Sequence, residues 1–139
     1  MNWLNLSILE FEKHLVDNYP NLHAKCKDPY FLQGIGPGWF ELIDNLSLRL
    51  ETVIKHIQTI NSNSEIYLVQ CKEKFGSLRY YLKDNSVKTS QELYNIINEA
   101  EDKSTELCYF CGRFNNIPSY KNNWIVNMCR DCKFIKGVE

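Results

Sequence analysis

The sequence has no excess of charge of either sign. Sixteen lysine and arginine residues stand against seventeen aspartate and glutamate residues, which gives a formal net charge of −1 at pH 7. Proteins that bind nucleic acid or membranes non-specifically normally carry a clear basic excess. The composition therefore argues against non-specific binding of nucleic acids or membranes through charge alone.

Long apolar runs and export signals are also missing from the sequence. No uncharged apolar stretch approaches the roughly 20 residues that cross a bilayer. The first nine residues carry no basic segment, and Glu10, Glu12 and Lys13 interrupt the apolar residues around them. We therefore expect a protein that works in the cytoplasm and has no membrane partner.

Recognisable catalytic patterns are absent as well. The histidines His14, His23 and His56 match neither a Ser–His pair nor a zincin motif in their spacing. The acidic residues between positions 84 and 106 are typical of a solvated helix face rather than of a metal site. We expect a protein that is not an enzyme, and an enzyme such as a nuclease is the least favoured class.

Two short cysteine pairs occupy the last third of the chain. Cys108 and Cys111 are followed by Gly112, and seventeen residues separate this pair from Cys129 and Cys132. Four thiolates at this spacing can surround one tetrahedral ion, and Zn²⁺ takes four such ligands. A rubredoxin-like iron fits the same ligands, whereas a catalytic zinc would need an open coordination position. The spacing predicts a structural zinc site in a reducing compartment.

Apolar periodicity predicts three helices. They cover about residues 5–18, 39–60 and 90–105, and Thr89 with Glu92 forms a capping box before the third. The apolar stripe of the first helix comprises Leu6, Ile8, Leu9, Phe11, Leu15 and Val16. The stripe of the second comprises Trp39, Ile43, Leu46, Leu50, Val53, Ile57 and Ile60. Both stripes should face a common core.

Residues 66–82 are typical of a β-hairpin with Gly76-Ser77 as its turn. Side chains alternate between the two faces of a strand, so one face should pack on the long helix. That face would carry Tyr67, Val69, Cys71, Leu78, Tyr80 and Leu82. The opposite face would carry Gln70, Lys72, Arg79, Tyr81 and Lys83 beside Ile66 and Leu68.

A glycine-rich segment, residues 34–38, precedes the long helix within a loop that is aromatic enough to pack on the core. Glycines at a helix N-terminus can bind phosphate. The spacing matches neither a Gly-x-Gly-x-x-Gly motif nor a P-loop, and no predicted strand comes before it. A tight loop that positions Trp39 and Phe40 is the favoured interpretation.

The polar face of the hairpin is the candidate ligand-binding surface. Arginine is scarce, with four residues against twelve lysines, and Arg79 lies at the centre of this face. Arginine offers a bidentate fork for phosphate, which Lys72 and Lys74 would support, while Tyr81 and Trp39 would supply aromatic contacts. The competing interpretation is an edge hairpin whose cations only discourage pairing with other strands.

Three segments share a pattern with known proteins: Gly38-Trp-Phe-Glu-Leu-Ile-Asp44, Lys72-Glu-Lys-Phe-Gly-Ser-Leu-Arg-Tyr-Tyr81 and Trp124-Ile-Val-Asn-Met-Cys-Arg-Asp-Cys132. With the acidic helix and Cys-x-x-Cys-Gly between them, they resemble a family of small phage and prophage proteins. That family has a Lys-Phe-Gly-Gly-Leu-Arg-Phe-Tyr-like hairpin, in which Ser77 and Tyr80 replace a glycine and a phenylalanine here. The resemblance covers residues 38–132. It implies a phage genome expressed in a bacterial cytoplasm, and it supplies no mechanism.

These patterns predict an α+β fold, with about three helices packed on a small antiparallel hairpin or sheet and a C-terminal zinc ribbon with four cysteine ligands. Residues 1–106 would form the core, and residues 107–139 would form the ribbon subdomain packed on it. We expect a non-catalytic phage accessory protein of the anti-defence type, which binds a host protein or sequesters a small anionic, nucleotide-like ligand. The alternative is a nucleic-acid-binding regulator that uses the basic rim of the ribbon, formed by Lys121, Arg130, Lys133 and Lys136.

Overall fold

The computed structural model describes residues 1–26, 31–85, 91–121 and 124–136. In these ranges the α-helices are α1 (Ile8–Asn18), α2 (Pro20–His23), α3 (Phe40–Ile60), α4 (Gln91–Ser104) and α5 (Arg130–Lys136). The strands are β1 (Leu32–Gln33), β2 (Ile66–Lys74), β3 (Ser77–Asp84), β4 (Ser119–Lys121) and β5 (Trp124–Val126). The predicted α+β fold is confirmed, and α2 and α5 are additions to the three predicted helices. None of the described helices is both long enough and apolar enough to cross a membrane.

Helix α1 begins three residues later than predicted because Ser7 caps it. The Ser7 hydroxyl accepts a hydrogen bond from the Glu10 backbone N–H at 3.1 Å, and the Glu10 carboxylate accepts one from the Ser7 N–H at 3.0 Å. This capping box satisfies two N–H groups that the helix leaves unpaired. Phe11 and Leu15 are buried, whereas the other apolar side chains of the predicted stripe are at least partly exposed.

Helix α3 runs through the centre of the core. Its buried apolar residues are Phe40, Ile43, Leu46, Leu50 and Ile54. The predicted stripe ends before Ile60, which is 75% exposed. Glu51 also points inward, where its carboxylate accepts hydrogen bonds from the backbone N–H groups of Asn21 at 3.1 Å and Leu22 at 2.9 Å. A buried carboxylate is tolerated here because it satisfies the N-terminus of α2.

Strands β1, β2 and β3 form one sheet in that order, with β1 parallel to β2 and β2 antiparallel to β3. The register of β2 shifts between Leu68 and Gln70, as in a β-bulge. Because an extra residue reverses the alternation of faces, Leu68 is buried before the shift and Cys71 is buried after it. Val69 is half exposed, whereas Ile66 and Leu68 are buried. The prediction that Tyr67 and Val69 pack on the long helix, with Ile66 and Leu68 on the opposite face, is therefore wrong.

The turn of the hairpin lies one residue earlier than predicted. Lys74 pairs with Ser77, so the two-residue loop is Phe75-Gly76. Both loop residues have positive φ, 55° and 79°, which is the requirement of a type I′ turn. Glycine adopts this conformation without strain, but phenylalanine does not.

Helix α4 covers the outer edge of β3. The Leu78 N–H donates to the Ser104 hydroxyl at 2.8 Å, and the Tyr80 N–H donates to the Glu101 carboxylate at 2.9 Å. An edge strand covered in this way cannot pair with another chain. The predicted inward residues of α4 are buried, namely Leu93, Ile96, Ile97 and Ala100. The predicted capping box at Thr89 lies outside the described residues.

Candidate functional site

The four predicted metal ligands meet at one point. The sulfur atoms of Cys108, Cys111, Cys129 and Cys132 all lie within 4.8 Å of one another, and Cys111 Sγ is 3.7 Å from Cys129 Sγ. A tetrahedral site with metal–sulfur bonds of about 2.3 Å places its sulfurs about 3.8 Å apart. All four residues are free thiols. This cluster could therefore hold a metal ion.

The clustered thiols differ in how easily they ionise: the pKa of Cys129 is lowered, whereas burial and hydrogen bonds with neighbouring thiols raise the pKa of Cys132. Gly112 has φ of +77°, which turns the chain sharply after Cys111. Burial opposes ionisation of the Cys129 thiol, but hydrogen bonds from the Cys132 backbone N–H and from neighbouring thiols outweigh it and lower its pKa to about 7. Burial raises the pKa of Cys111, although the Arg113 backbone N–H acts against this effect. N–H groups directed at the sulfurs are the usual support of a thiolate metal site.

The glycine-rich loop contacts the first cysteine pair. We call the segment around Cys108 and Cys111 the first cysteine knuckle and that around Cys129 and Cys132 the second. The Gly38 N–H donates to the Tyr109 carbonyl at 2.7 Å. A Cβ atom at Gly38 would overlap the Cys108 carbonyl, and one at Gly36 would overlap Tyr109. The glycines are thus required for close approach of two backbones, in agreement with a tight loop rather than a phosphate cradle.

Trp39 belongs to this junction and not to the ligand-binding face, which corrects the expectation from the sequence. Its side chain is fully buried, and its indole N–H donates to the Leu107 carbonyl at 3.0 Å. Its ring also meets that of Tyr109 edge to face at 6.2 Å. Trp39 therefore anchors the ribbon and has no surface left for a ligand.

The outer face of the hairpin brings two of the predicted cations together. Lys72 and Arg79 are direct cross-strand partners. The described residues contain no carboxylate paired with either of them. The Nε atom of Arg79 is buried and has no hydrogen-bond partner there. Like charges placed opposite each other destabilise a sheet, so this arrangement favours a bound anion.

Two further predicted residues border this cation pair. Tyr81 is 45% exposed, and the Lys72 ammonium lies 6.0 Å from the centre of its ring. Lys74 is exposed at the end of β2, with its ammonium 5.5 Å from the centre of the Phe75 ring. We call Lys72, Lys74, Arg79 and Tyr81 the hairpin face.

The basic rim of the ribbon is described only in part, because the side chain of Lys121 lies outside the described residues. Arg130 and Lys136 are exposed on α5, and the Lys136 ammonium lies 4.7 Å from the centre of the Phe110 ring. Phe134 is 89% exposed on the same helix. Helix α5 thus presents exposed cations and one exposed aromatic ring, that of Phe134.

A polar cluster that sequence analysis missed joins α1 to α3. Asp44 accepts hydrogen bonds from the Tyr19 hydroxyl at 2.7 Å and from His14 Nε2 at 2.8 Å, while Asn18 approaches His14 Nδ1 at 3.2 Å. The Asn18 amide donates to Nδ1, so Nε2 carries the proton that Asp44 accepts. Both ring nitrogens are occupied, which makes the cluster a link between helices rather than a proton relay. His14 and Asp44 are thirty positions apart in the chain, and no local spacing reveals the pair.

Comparison with protein family models, curated protein sequences and solved structures finds no match to this chain. Its function is therefore inferred from the geometry of its own residues.

Proposed function

We propose that this chain is a non-catalytic binding protein, built around a structural zinc ion, that takes a small anionic, nucleotide-like ligand on the hairpin face. The observation that carries the proposal is the direct opposition of Lys72 and Arg79 without a carboxylate partner in the described residues. An anion between them would remove their repulsion and would use the bidentate geometry of arginine. The half-exposed ring of Tyr81 beside them suits an aromatic base.

Zinc is the proposed metal because four thiolates in a tetrahedral arrangement select zinc or iron. Four protein ligands close the coordination shell, so the ion would hold the ribbon together rather than activate water. Metal analysis of protein purified without added metal tests this assignment. One zinc per chain is the expected result, and one iron with a rubredoxin-type absorption spectrum would overturn it.

The proposed setting is the cytoplasm of a bacterial host, which the resemblance to small phage and prophage proteins implies. An accessory protein of this type would act on host defence by withdrawing a nucleotide signal or by occupying a host protein. The reducing cytoplasm would keep the four thiols available for metal.

Calorimetric titration with pyrophosphate and with nucleoside di- and triphosphates tests the proposal. Arg79→Lys keeps the charge but removes the fork, and Lys72→Gln removes the opposing charge, so both should weaken binding by about tenfold or more. Lys55→Gln removes an exposed cation from α3 and should leave binding unchanged. Absence of heat with every anion, or turnover of any nucleotide, would overturn the proposal.

A host protein partner is the other form that the proposed function could take. Pull-down from bacterial lysate with the wild-type chain and with Arg79→Lys would separate the two. A partner captured equally by both proteins would move the binding surface away from the hairpin face.

A second candidate function, nucleic-acid binding by the ribbon, is favoured by the exposed Phe134 ring among the cations of α5. Aromatic stacking combined with basic side chains is typical of single-strand binding. This function predicts an affinity for single-stranded DNA or RNA that falls steeply with salt and is lost when Arg130 and Lys133 are changed to glutamine. Salt-independent binding, or binding that survives both substitutions, would exclude it.

A further inference from the structure

We infer that the metal centre controls the order of the hairpin face through a series of hydrogen bonds. These bonds run from Asn127 to the last turn of α4 and then to the edge of β3. The inference rests on the proposed function only in taking the hairpin face as the ligand site. The metal-loaded chain would bind the anion, and the metal-free chain would bind it weakly. The described contacts give each step of this connection.

Asn127 is the first step, because it ties together the two cysteine knuckles. It lies two residues before Cys129, and its carbonyl accepts a hydrogen bond from the Tyr109 N–H at 2.8 Å, next to Cys108. Asn127 is only 4% exposed. Its position therefore depends on both halves of the metal site.

The side chain of Asn127 reaches out of the ribbon to the end of α4. Its amide nitrogen donates to the Thr105 carbonyl at 2.6 Å and to the Ser104 carbonyl at 3.2 Å. Its amide oxygen accepts a hydrogen bond from the Asn115 amide at 2.8 Å. The last carbonyls of a helix have no partner within the helix, so Asn127 caps α4 from the ribbon.

The last turn of α4 holds the backbone on both sides of Arg79. The Ser104 hydroxyl accepts from the Leu78 N–H, and the Glu101 carboxylate accepts from the Tyr80 N–H. These two bonds hold β3 in place on both sides of Arg79. The Arg79 side chain projects from the strand on the face opposite to the Leu78 and Tyr80 side chains. Displacement of the last turn of α4 would therefore loosen the spacing between Arg79 and Lys72.

A second contact connects the ribbon to the tip of the hairpin. A Cβ atom at Gly76 would lie 3.0 Å from the side chain of Ile125, so the turn rests directly on β5. Glu73 fixes the turn by accepting the Gly76 N–H at 2.8 Å. The hairpin is thus supported by the ribbon at its tip and by α4 at its edge.

Metal loss would remove these supports together. The buried apolar cluster of the ribbon consists of Cys108, Met128 and Cys129, two of which are metal ligands. Such a small cluster cannot maintain the ribbon, so its folded and unfolded states form a two-state element that metal controls. Linkage is reciprocal, and the anion should raise the affinity for metal by the same factor.

Hydrogen exchange tests the inference without any ligand. Removal of metal with a chelator should speed exchange of the Leu78 and Tyr80 amides by about tenfold or more, while the buried amides of α3 change little. Asn127→Asp keeps the size of the side chain but replaces its two donors with acceptors that face carbonyls. This variant should speed the same two amides even with Zn²⁺ bound. Asn116→Asp, which makes the same charge change at an exposed position, should not.

Titration with pyrophosphate of the zinc-loaded chain, freed of excess Zn²⁺, and of the chain after chelation gives the second readout. The wild-type chain should lose about tenfold or more in affinity on chelation, and Asn127→Asp should be weak in both states. Equal affinity with and without Zn²⁺, or unchanged exchange at Leu78 and Tyr80, would overturn the inference while leaving the proposed function intact. If no anion binds but both amides respond to metal, the proposed ligand is wrong and the structural connection stands.

Discussion

Single glycine residues determine how the ribbon docks on the core. The φ angle of Gly38 is ordinary, so its requirement for glycine is purely steric: a Cβ atom would overlap the Cys108 carbonyl and the Gly112 nitrogen. Gly34 presents the opposite case, since its φ is +68° but the nearest neighbour of a Cβ atom would be Glu73 Cβ at 3.9 Å. The two positions separate the steric from the conformational need for glycine.

We expect Gly38→Ala to lower the free energy of unfolding by about 1–3 kcal/mol, the usual cost of overpacking. The ribbon should also dissociate from the core and lose amide protection. Gly34→Ala should cost about 1 kcal/mol through its left-handed backbone and leave the ribbon protected. Urea unfolding and hydrogen exchange measure both effects, and equal loss of ribbon protection in the two variants would refute the steric explanation.

His23 makes stability depend on pH. Burial lowers its pKa below the ordinary value, while its Nδ1–H donates to the Tyr19 carbonyl at 3.0 Å. The unfolded chain then takes up a proton at higher pH than the folded chain. The contribution of His23 to the free energy of unfolding should therefore be greatest above about pH 6.5, and the free energy of unfolding should fall as the pH drops below that value.

His23→Phe should flatten this dependence below about pH 6.5, because the titrating group is gone. His56→Gln, at an exposed position of α3, should retain the wild-type slope. Urea unfolding at several pH values measures the slopes. A wild-type slope in the His23→Phe variant would assign the pH dependence to other groups.

At the level of secondary-structure elements, the type I′ turn places an exposed phenylalanine where asparagine or glycine is preferred. Phe75 has φ of 55° and is 55% exposed, so burial does little to offset its backbone strain. The cation–π contact between the Lys74 ammonium and the Phe75 ring offsets a part of this backbone strain.

Phe75→Asn should raise the free energy of unfolding by roughly 0.5–1 kcal/mol, because asparagine tolerates the left-handed conformation. Phe75→Val should lower it, since a β-branched residue is strained there. Denaturant unfolding of the three proteins measures the order of stability. A valine variant as stable as the asparagine variant would show that turn conformation does not decide stability here.

Across the molecule as a whole, the residues that the structure describes form two hydrophobic clusters of very different size. The main cluster includes residues from α1 to α4, whereas that of the ribbon has three buried members. Metal binding can supply folding free energy directly, and the ribbon has little other source of it. The stability of the main cluster, at the centre of the core, should therefore not depend on the metal.

Chelation should unfold the ribbon and leave α1 to α3 folded. Cys132→Ser should reproduce this loss at saturating Zn²⁺ because it removes one ligand of the site. Cys26→Ser removes a thiol outside the site and should leave the ribbon folded. Thermal unfolding and amide exchange with and without chelator measure the effect. A ribbon that stays protected after complete metal loss, shown by metal analysis, would contradict the role given to the metal.

Turn position shows why the candidate ligand site could be predicted only in part. The sequence indicated the hairpin and its cationic residues, but Gly76-Ser77 as the loop would have placed Lys74 opposite Arg79. The observed loop, Phe75-Gly76, pairs Lys72 with Arg79 instead. A glycine signals that a turn is near, yet the register also depends on which strand residues are buried against the core, which local sequence does not contain.

Features that depend on near neighbours in the chain could be predicted from the sequence without further information. Helix α3 followed from apolar periodicity, and the four ligands Cys108, Cys111, Cys129 and Cys132 followed from their spacing, because a short loop between two thiols limits where they can point. Only the folded structure reveals the position of the bulge in β2, the burial of Trp39, the contact between Gly38 and the first knuckle, and the bond from Asn127 to α4. Each of these depends on partners distant in the chain, whose proximity is set by the free energy of the whole core rather than by any local pattern.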